Sequence, residues 1–188
     1  MPEDSSVLYS RAREFLLRHY GYPDFRPAQQ PVVRAILEGR DVLAVLPTGA
    51  GKSICFQLPA LALGGITLVI APLVALMQDQ VDGLRRRGIG AGAINSGVGT
   101  EDRQLLWGQV AAGQIRLLYC SPEGAPAVAE ALASRQQRVS LLAVDEAHCI
   151  VEWGHDFRPA YRTLGELRAM LGKEIAADLP PLLASSAR

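Results

Sequence analysis

An α/β fold, with a parallel sheet covered by helices on both faces, is what this sequence predicts. Short β-branched and apolar runs alternate with helical stretches along its whole length, which is how repeated βα units read. The runs are apolar at successive positions rather than every second one, as in strands buried on both faces. Two of them end in clusters of glycine, lysine, serine and carboxylates, the placement expected of a site at the carboxyl ends of parallel strands.

The elements follow in order. Ser6 is placed to cap a first helix that carries Leu8, Phe15 and Leu16 on one side and stops at Gly21. Pro27 is placed to open a second, ending at Gly39. Strands are predicted over residues 41–46, 66–71, 91–95, 115–120, 139–144 and 181–184, with helices over 54–63, 73–87, 100–112 and 123–137. Residues 53–78 contain no charged side chain, and 58–77 is long enough to cross a bilayer. Pro59, Gly64-Gly65 and Pro72 divide that stretch into helix, turn and strand, so no membrane span is expected.

With 188 residues, 49% apolar and 20% charged, the chain is expected to form one ordered domain spanning 1–188. Nineteen basic and nineteen acidic residues cancel, so no global field draws the molecule to a polyanion and any such contact must be local. Cys55, Cys120 and Cys149 form no C-x-x-C pair, which suits a reducing cytoplasm. The acidic opening Met1-Pro2-Glu3-Asp4 has no apolar signal core.

The chemistry is concentrated in two places. Thr48-Gly49-Ala50-Gly51-Lys52-Ser53 follows the first strand and leads into a helix. Glycines there let main-chain N–H groups converge on a triphosphate. Lys52, one of two lysines in the chain, is a point charge for the outer phosphates, and the Ser53 hydroxyl is a ligand for an octahedral Mg²⁺. Leu46 stands where the strict G-x-x-x-x-G-K-[ST] pattern has its first glycine, so this is a P-loop variant. Asp145 and Glu146 end the fifth strand, one placed to partner Mg²⁺ and the other to orient or deprotonate water. A plain strand-to-helix turn and an acidic pair complementing a helix dipole are the alternatives for the two segments.

Together these residues resemble the first RecA-like motor lobe of RecQ-family DNA helicases, within superfamily 2, over residues 8–180. The segment Tyr20-Gly21-Tyr22-Pro23-Asp24-Phe25-Arg26-Pro27-Ala28-Gln29, within N-terminal helices over 5–39, is similar to the family's adenine motif. That likeness implies that Tyr22 and Arg26 sandwich the base and Gln29 bonds its edge. Residues 71–80 resemble motif Ia and 118–123 motif Ib, which implies that loops such as Pro72-Leu73 hold DNA phosphates; strand-end turns are the other reading. Asp145-Glu146-Ala147-His148 is a DEAH box. After it, residues 149–161 resemble the RecQ aromatic-rich loop, implying that His148, Trp153, His155, Phe157 and Arg158 couple single-stranded DNA to hydrolysis. Edge packing of the aromatics is the competing reading of that loop. A zinc site from His148, Cys149 and His155 lacks a fourth ligand, and Cys120-Ser121 has no histidine partner for nucleophilic catalysis.

The resemblance implies ATP and Mg²⁺ as cofactors, DNA, chiefly single-stranded, as partner, 3′–5′ helicase chemistry, and a place in repair and recombination. It also implies a departure. The family's Leu-Thr-Ala-Thr-Ala motif III reads Leu183-Ala184-Ser185-Ser186-Ala187-Arg188 here, without the leading threonine. No residues remain for the second lobe that carries the arginine finger, so this chain is expected to hydrolyse ATP very slowly and not to unwind DNA unless a second lobe acts in trans. The rival expectations are a non-catalytic DNA- or partner-binding module and an unrelated P-loop enzyme such as a small-molecule kinase. The latter has no use for residues 22–29 or 153–161.

Overall fold

The computed structural model describes residues 3–147, 166–169, 171 and 182–187. Within them run α1 (Ser5–Tyr20), α2 (Gln30–Leu37), β1 (Val42–Leu46), α3 (Ile54–Leu63), β2 (Ile66–Ile70), α4 (Val74–Arg86), β3 (Ala91–Ile94), α5 (Thr100–Ala111), β4 (Leu117–Cys120), α6 (Ala125–Ser134), β5 (Val139–Val144) and β6 (Leu182–Ala187). The six strands form one sheet in the order β1-β6-β5-β2-β4-β3, and every pairing is parallel.

Both faces of the sheet are apolar, as the uninterrupted strand runs require. Ile66, Leu68 and Ile70 of β2 point to one side, where they pack with Leu106 and Val110 of α5, Val128 and Leu132 of α6, and Leu167 and Leu171. Val69, Leu141 and Tyr119 point to the other, against Phe56 of α3 and Met77, Val81 and Leu84 of α4. A third cluster stacks α1 and α2 on the outer side of α3 through Leu16, Val33 and Leu58. Burying a Leu or Ile side chain contributes about 1.5–3 kcal/mol. The middle strands, which face such clusters on both sides, are therefore the rigid base from which the functional loops emerge.

The predicted elements are all present, with shifts that have local causes. Asp4 rather than Ser6 caps α1, because the Asp4 carboxylate accepts the Ser6 N–H at 2.8 Å. Pro27 lies in a turn before α2, since the Arg26 carbonyl accepts the N–H groups of both Gln29 and Gln30, and Pro31 occupies the first helical turn instead. The fourth strand begins at Leu117, two residues later than the sequence suggests, and α6 is confined to Ala125–Ser134, where Gln136 turns left-handed at φ 53°. The last strand is longer than 181–184, running through Ser185 and Ser186 to Ala187 beside β1. Among the described residues no helix is long and apolar enough to cross a membrane, and residues 58–77 divide among α3, β2 and α4.

Candidate functional site

The loops after β1, β2, β4 and β5 all leave the same edge of the parallel sheet. Gly49 and Gly51 sit at φ 78° and 79°, the left-handed region that glycine enters without strain. A Cβ on Gly51 would meet Gln29 Nε2 at 2.5 Å, so only glycine fits the close approach of the two segments. The N–H groups of Thr48, Gly49, Gly51, Lys52 and Ser53 donate to no acceptor among the described residues. They are a set of donors at the start of α3, the arrangement that suits a phosphate group.

Lys52 Nζ lies 3.3 Å from Glu146 Oε1, with both side chains largely shielded, so the loop after β1 and the acid pair after β5 form one site. Asp145 is buried; its Oδ1 accepts the Ser185 hydroxyl at 2.9 Å and the Glu146 N–H at 3.0 Å. Burial pushes its carboxyl above the ordinary Asp value, opposed by those two hydrogen bonds and by the nearby Lys52, while Glu146 adds to the rise. Glu146 is held at φ 51°, a left-handed conformation uncommon for a residue with a side chain and frequent at functional sites. Lys52, Ser53, Asp145 and Glu146 therefore offer a cation, a hydroxyl and two carboxylates at one edge of the sheet, a donor set that fits a magnesium-bound triphosphate.

The N-terminal segment is tied to this loop. Arg26 Nη1 donates to the Gly49 carbonyl at 2.9 Å, and Gln29 Nε2 donates to the carbonyls of Ala50 and Gly51 at 2.9 and 3.2 Å. Gln29 is only 3% exposed, and its Oε1 accepts the Arg26 N–H, so its amide grips the loop from within. Tyr22 is half exposed beside this junction in sequence. Pro72 is buried and Leu73 exposed where β2 passes into α4. His148, Trp153, His155, Phe157 and Arg158 lie outside the described residues. Among the described residues no three His, Cys, Asp or Glu side chains cluster as a metal site, and Cys55 and Cys120 are free thiols that burial pushes up to about 12.

Two contributors escape a linear reading. Gln80 Nε2 donates to Ser53 Oγ, and Ser185 reaches Asp145 from the next strand. The lone polar Gln57 in an apolar helix is the one sequence signal of the first; for the second, pairing of β5 with β6 must be known. A cleft of about 360 Å³ opens between Gly51, Ser53, Gln57 and Gln80, whereas a larger one of about 530 Å³ lies against β3. The larger touches none of the site residues, so chemistry rather than volume identifies the site.

The sequence profile described as DEAD/DEAH box helicase matches residues 26–187. The chain belongs to the DEAD/DEAH box helicase family. Within it, the chain is similar to the first RecA-like lobe of the RecQ helicases. It is 48% identical over 163 residues to the ATP-dependent DNA helicase RecQ of Synechocystis sp., covering 86% of this chain and 34% of that protein. It is 47% identical over 150 residues to the RecQ of Haemophilus influenzae, covering 80% of this chain and 24% of that one. The probable ATP-dependent DNA helicase RecS of Bacillus subtilis is 43% identical over 181 residues, 95% of this chain and 34% of that protein. The chain thus spans about a quarter to a third of the length of these relatives. The fold matches that of Mycobacterium smegmatis helicase Lhr bound to ssDNA and AMP-PNP, with a TM-score of 0.71 at 22% identity over 98% of this chain and 25% of that one. It equally matches the DEAD-box helicase Mss116 bound to ssRNA and UDP-BeF, with a TM-score of 0.71 at 21% identity over 96% of this chain and 38% of that one.

Proposed function

We propose that these 188 residues are the ATP-binding lobe of a RecQ-like 3′–5′ DNA helicase, which joins a magnesium-bound nucleotide to single-stranded DNA. The observation that carries this reading is the 3.3 Å contact between Lys52 and Glu146, which brings a phosphate-binding loop and a hydrolytic acid pair into one site. Bound Mg²⁺ neutralises charge on the outer phosphates. Ser53 and Asp145 are the residues that would hold it, and Lys52 would turn from Glu146 to the phosphate oxygens. Glu146, released from that pair, orients the attacking water. Arg26 and Gln29 fix the loop from the adenine side, with Tyr22 supplying an aromatic face for the base. Pro72-Leu73 and the segment from His148 to Arg158 contact DNA, with Trp153, His155 and Phe157 facing unpaired bases. The relatives' names as DNA helicases support that partner, and repair or recombination in the cytoplasm, on the nucleoid of a bacterium, is its setting.

A polypeptide of these residues alone binds ATP weakly, hydrolyses it very slowly and does not separate strands. Arginine fingers contribute ~10³ to 10⁵ in turnover in related hydrolases, and such helicases carry theirs on a second lobe, in the same polypeptide or in trans. The test is titration of a fluorescent ATP analogue with Mg²⁺ against the parent and Lys52→Ala. Saturable binding by the parent and loss in the variant is the expected outcome. A parent that holds DNA but never the nucleotide would turn the assignment to a non-catalytic binding module.

A further inference from the structure

Helix α3 is apolar except for Gln57, which is only 5% exposed. Its amide is the centre of a chain of side-chain hydrogen bonds. The Tyr20 hydroxyl donates to Gln57 Oε1 at 2.6 Å, Gln57 Nε2 donates to Gln80 Oε1 at 2.7 Å, and Gln80 Nε2 donates to Ser53 Oγ at 2.9 Å. Each amide accepts with its oxygen and donates with its nitrogen, so the bonds run head to tail and polarise one another. The chain links the end of α1, Gln57 of α3 and the second turn of α4 to the residue just before α3.

Ser53 stands immediately before α3, and its side chain does not cap the helix. Its backbone is at φ −60° and ψ −33°, and its hydroxyl makes no bond to its own helix. The N–H groups two and three residues on, which a capping serine would take, already donate to the Lys52 and Ser53 carbonyls at 2.9 and 3.2 Å. The hydroxyl instead accepts from Gln80. The hydroxyl oxygen has two acceptor lone pairs and one proton. With one lone pair taken by Gln80, the other is left for a divalent cation and the proton for a carboxylate such as Asp145.

We propose that Gln80 is a positioning residue for the magnesium site: it sets the Ser53 hydroxyl in the orientation that coordinates the cation. This rests on the nucleotide site proposed above. Because α4 also carries Leu73 at its exposed start, seven residues or about 10 Å of helix from Gln80, the same contact links the cation to that end of the helix.

The test titrates Mg²⁺ against the 188-residue chain with a fluorescent ATP analogue, comparing the parent with Gln80→Ala and Gln80→Met. The methionine variant keeps the length and adds no charge but cannot donate to Ser53, and it carries the test should the alanine variant fail to fold. The half-saturating Mg²⁺ concentration is expected to rise about fivefold to tenfold, the worth of one hydrogen bond, while analogue binding in EDTA stays as in the parent. A purely structural role would alter both conditions alike. Midpoints within about twofold of the parent overturn the role of Gln80 alone. A parent that binds no analogue at any Mg²⁺ concentration overturns the nucleotide site and this proposal with it.

Discussion

Asp145 is the residue at which stability and function oppose each other most directly. Its carboxyl is buried and raised, so the folded state favours the protonated form: the stabilisation is full below the unfolded value near 3.8 and is lost as pH rises through the higher folded value. Asp145→Asn keeps an oxygen for the Ser185 hydroxyl and the Glu146 N–H but carries no charge. We expect it to be more stable at neutral pH by about 1 kcal/mol, or ~2–4 °C in Tm, with the gap narrowing as the parent is acidified. Thermal melts across pH read this directly, and the same variant should lose Mg²⁺-dependent nucleotide binding. The loop proposed to meet the phosphates stands out in the sequence because that chemistry needs fixed types at fixed spacing, as in Gly51-Lys52-Ser53. Gln80 and Ser185 do not, because what they do depends on which strands and helices become neighbours.

At the scale of elements, two glycines govern how segments meet. Gly51→Ala would put a side chain on a left-handed residue and drive it into Gln29, which three hydrogen bonds hold in place. A loss of about 1–3 kcal/mol in urea unfolding is expected, with weakened nucleotide binding in the same variant. Gly90 precedes β3, and a Cβ there would fall 1.7 Å from the Gln114 carbonyl, a main-chain atom that cannot step aside. Gly90→Ala should therefore cost about 2–3 kcal/mol through a shift between β3 and β4, leaving nucleotide binding intact in what remains folded. Strands read well from sequence because runs such as residues 66–70 are buried on both faces. Helix starts read less well. Asp4 outcompeted Ser6 as a cap, and Pro27 fell in a turn, since each choice is settled by a single hydrogen bond rather than by a pattern.

For the molecule as a whole, charge balance predicts how it meets DNA. With nineteen charges of each sign and helix-start loops rather than a basic stripe at the site edge, few counterions are released. The logarithmic salt slope for single-stranded DNA should be shallower than about −2, the value for some three phosphates neutralised, as fluorescence anisotropy across ionic strengths would show. The overall architecture was legible because alternating elements admit few topologies, but the strand order was not, and it carries its own implication. β1, which leads into the proposed phosphate loop, is hydrogen-bonded among the described strands only to β6, some 140 residues later in the chain. On a ribosome, β1 must wait for β6. The strands between them in the chain can pair among themselves beforehand, leaving β1 with an open edge until Leu182–Ala187 is made. Competence for ATP would then arrive abruptly, with that one strand, and nascent chains halted before Leu182 should be unable to retain the nucleotide.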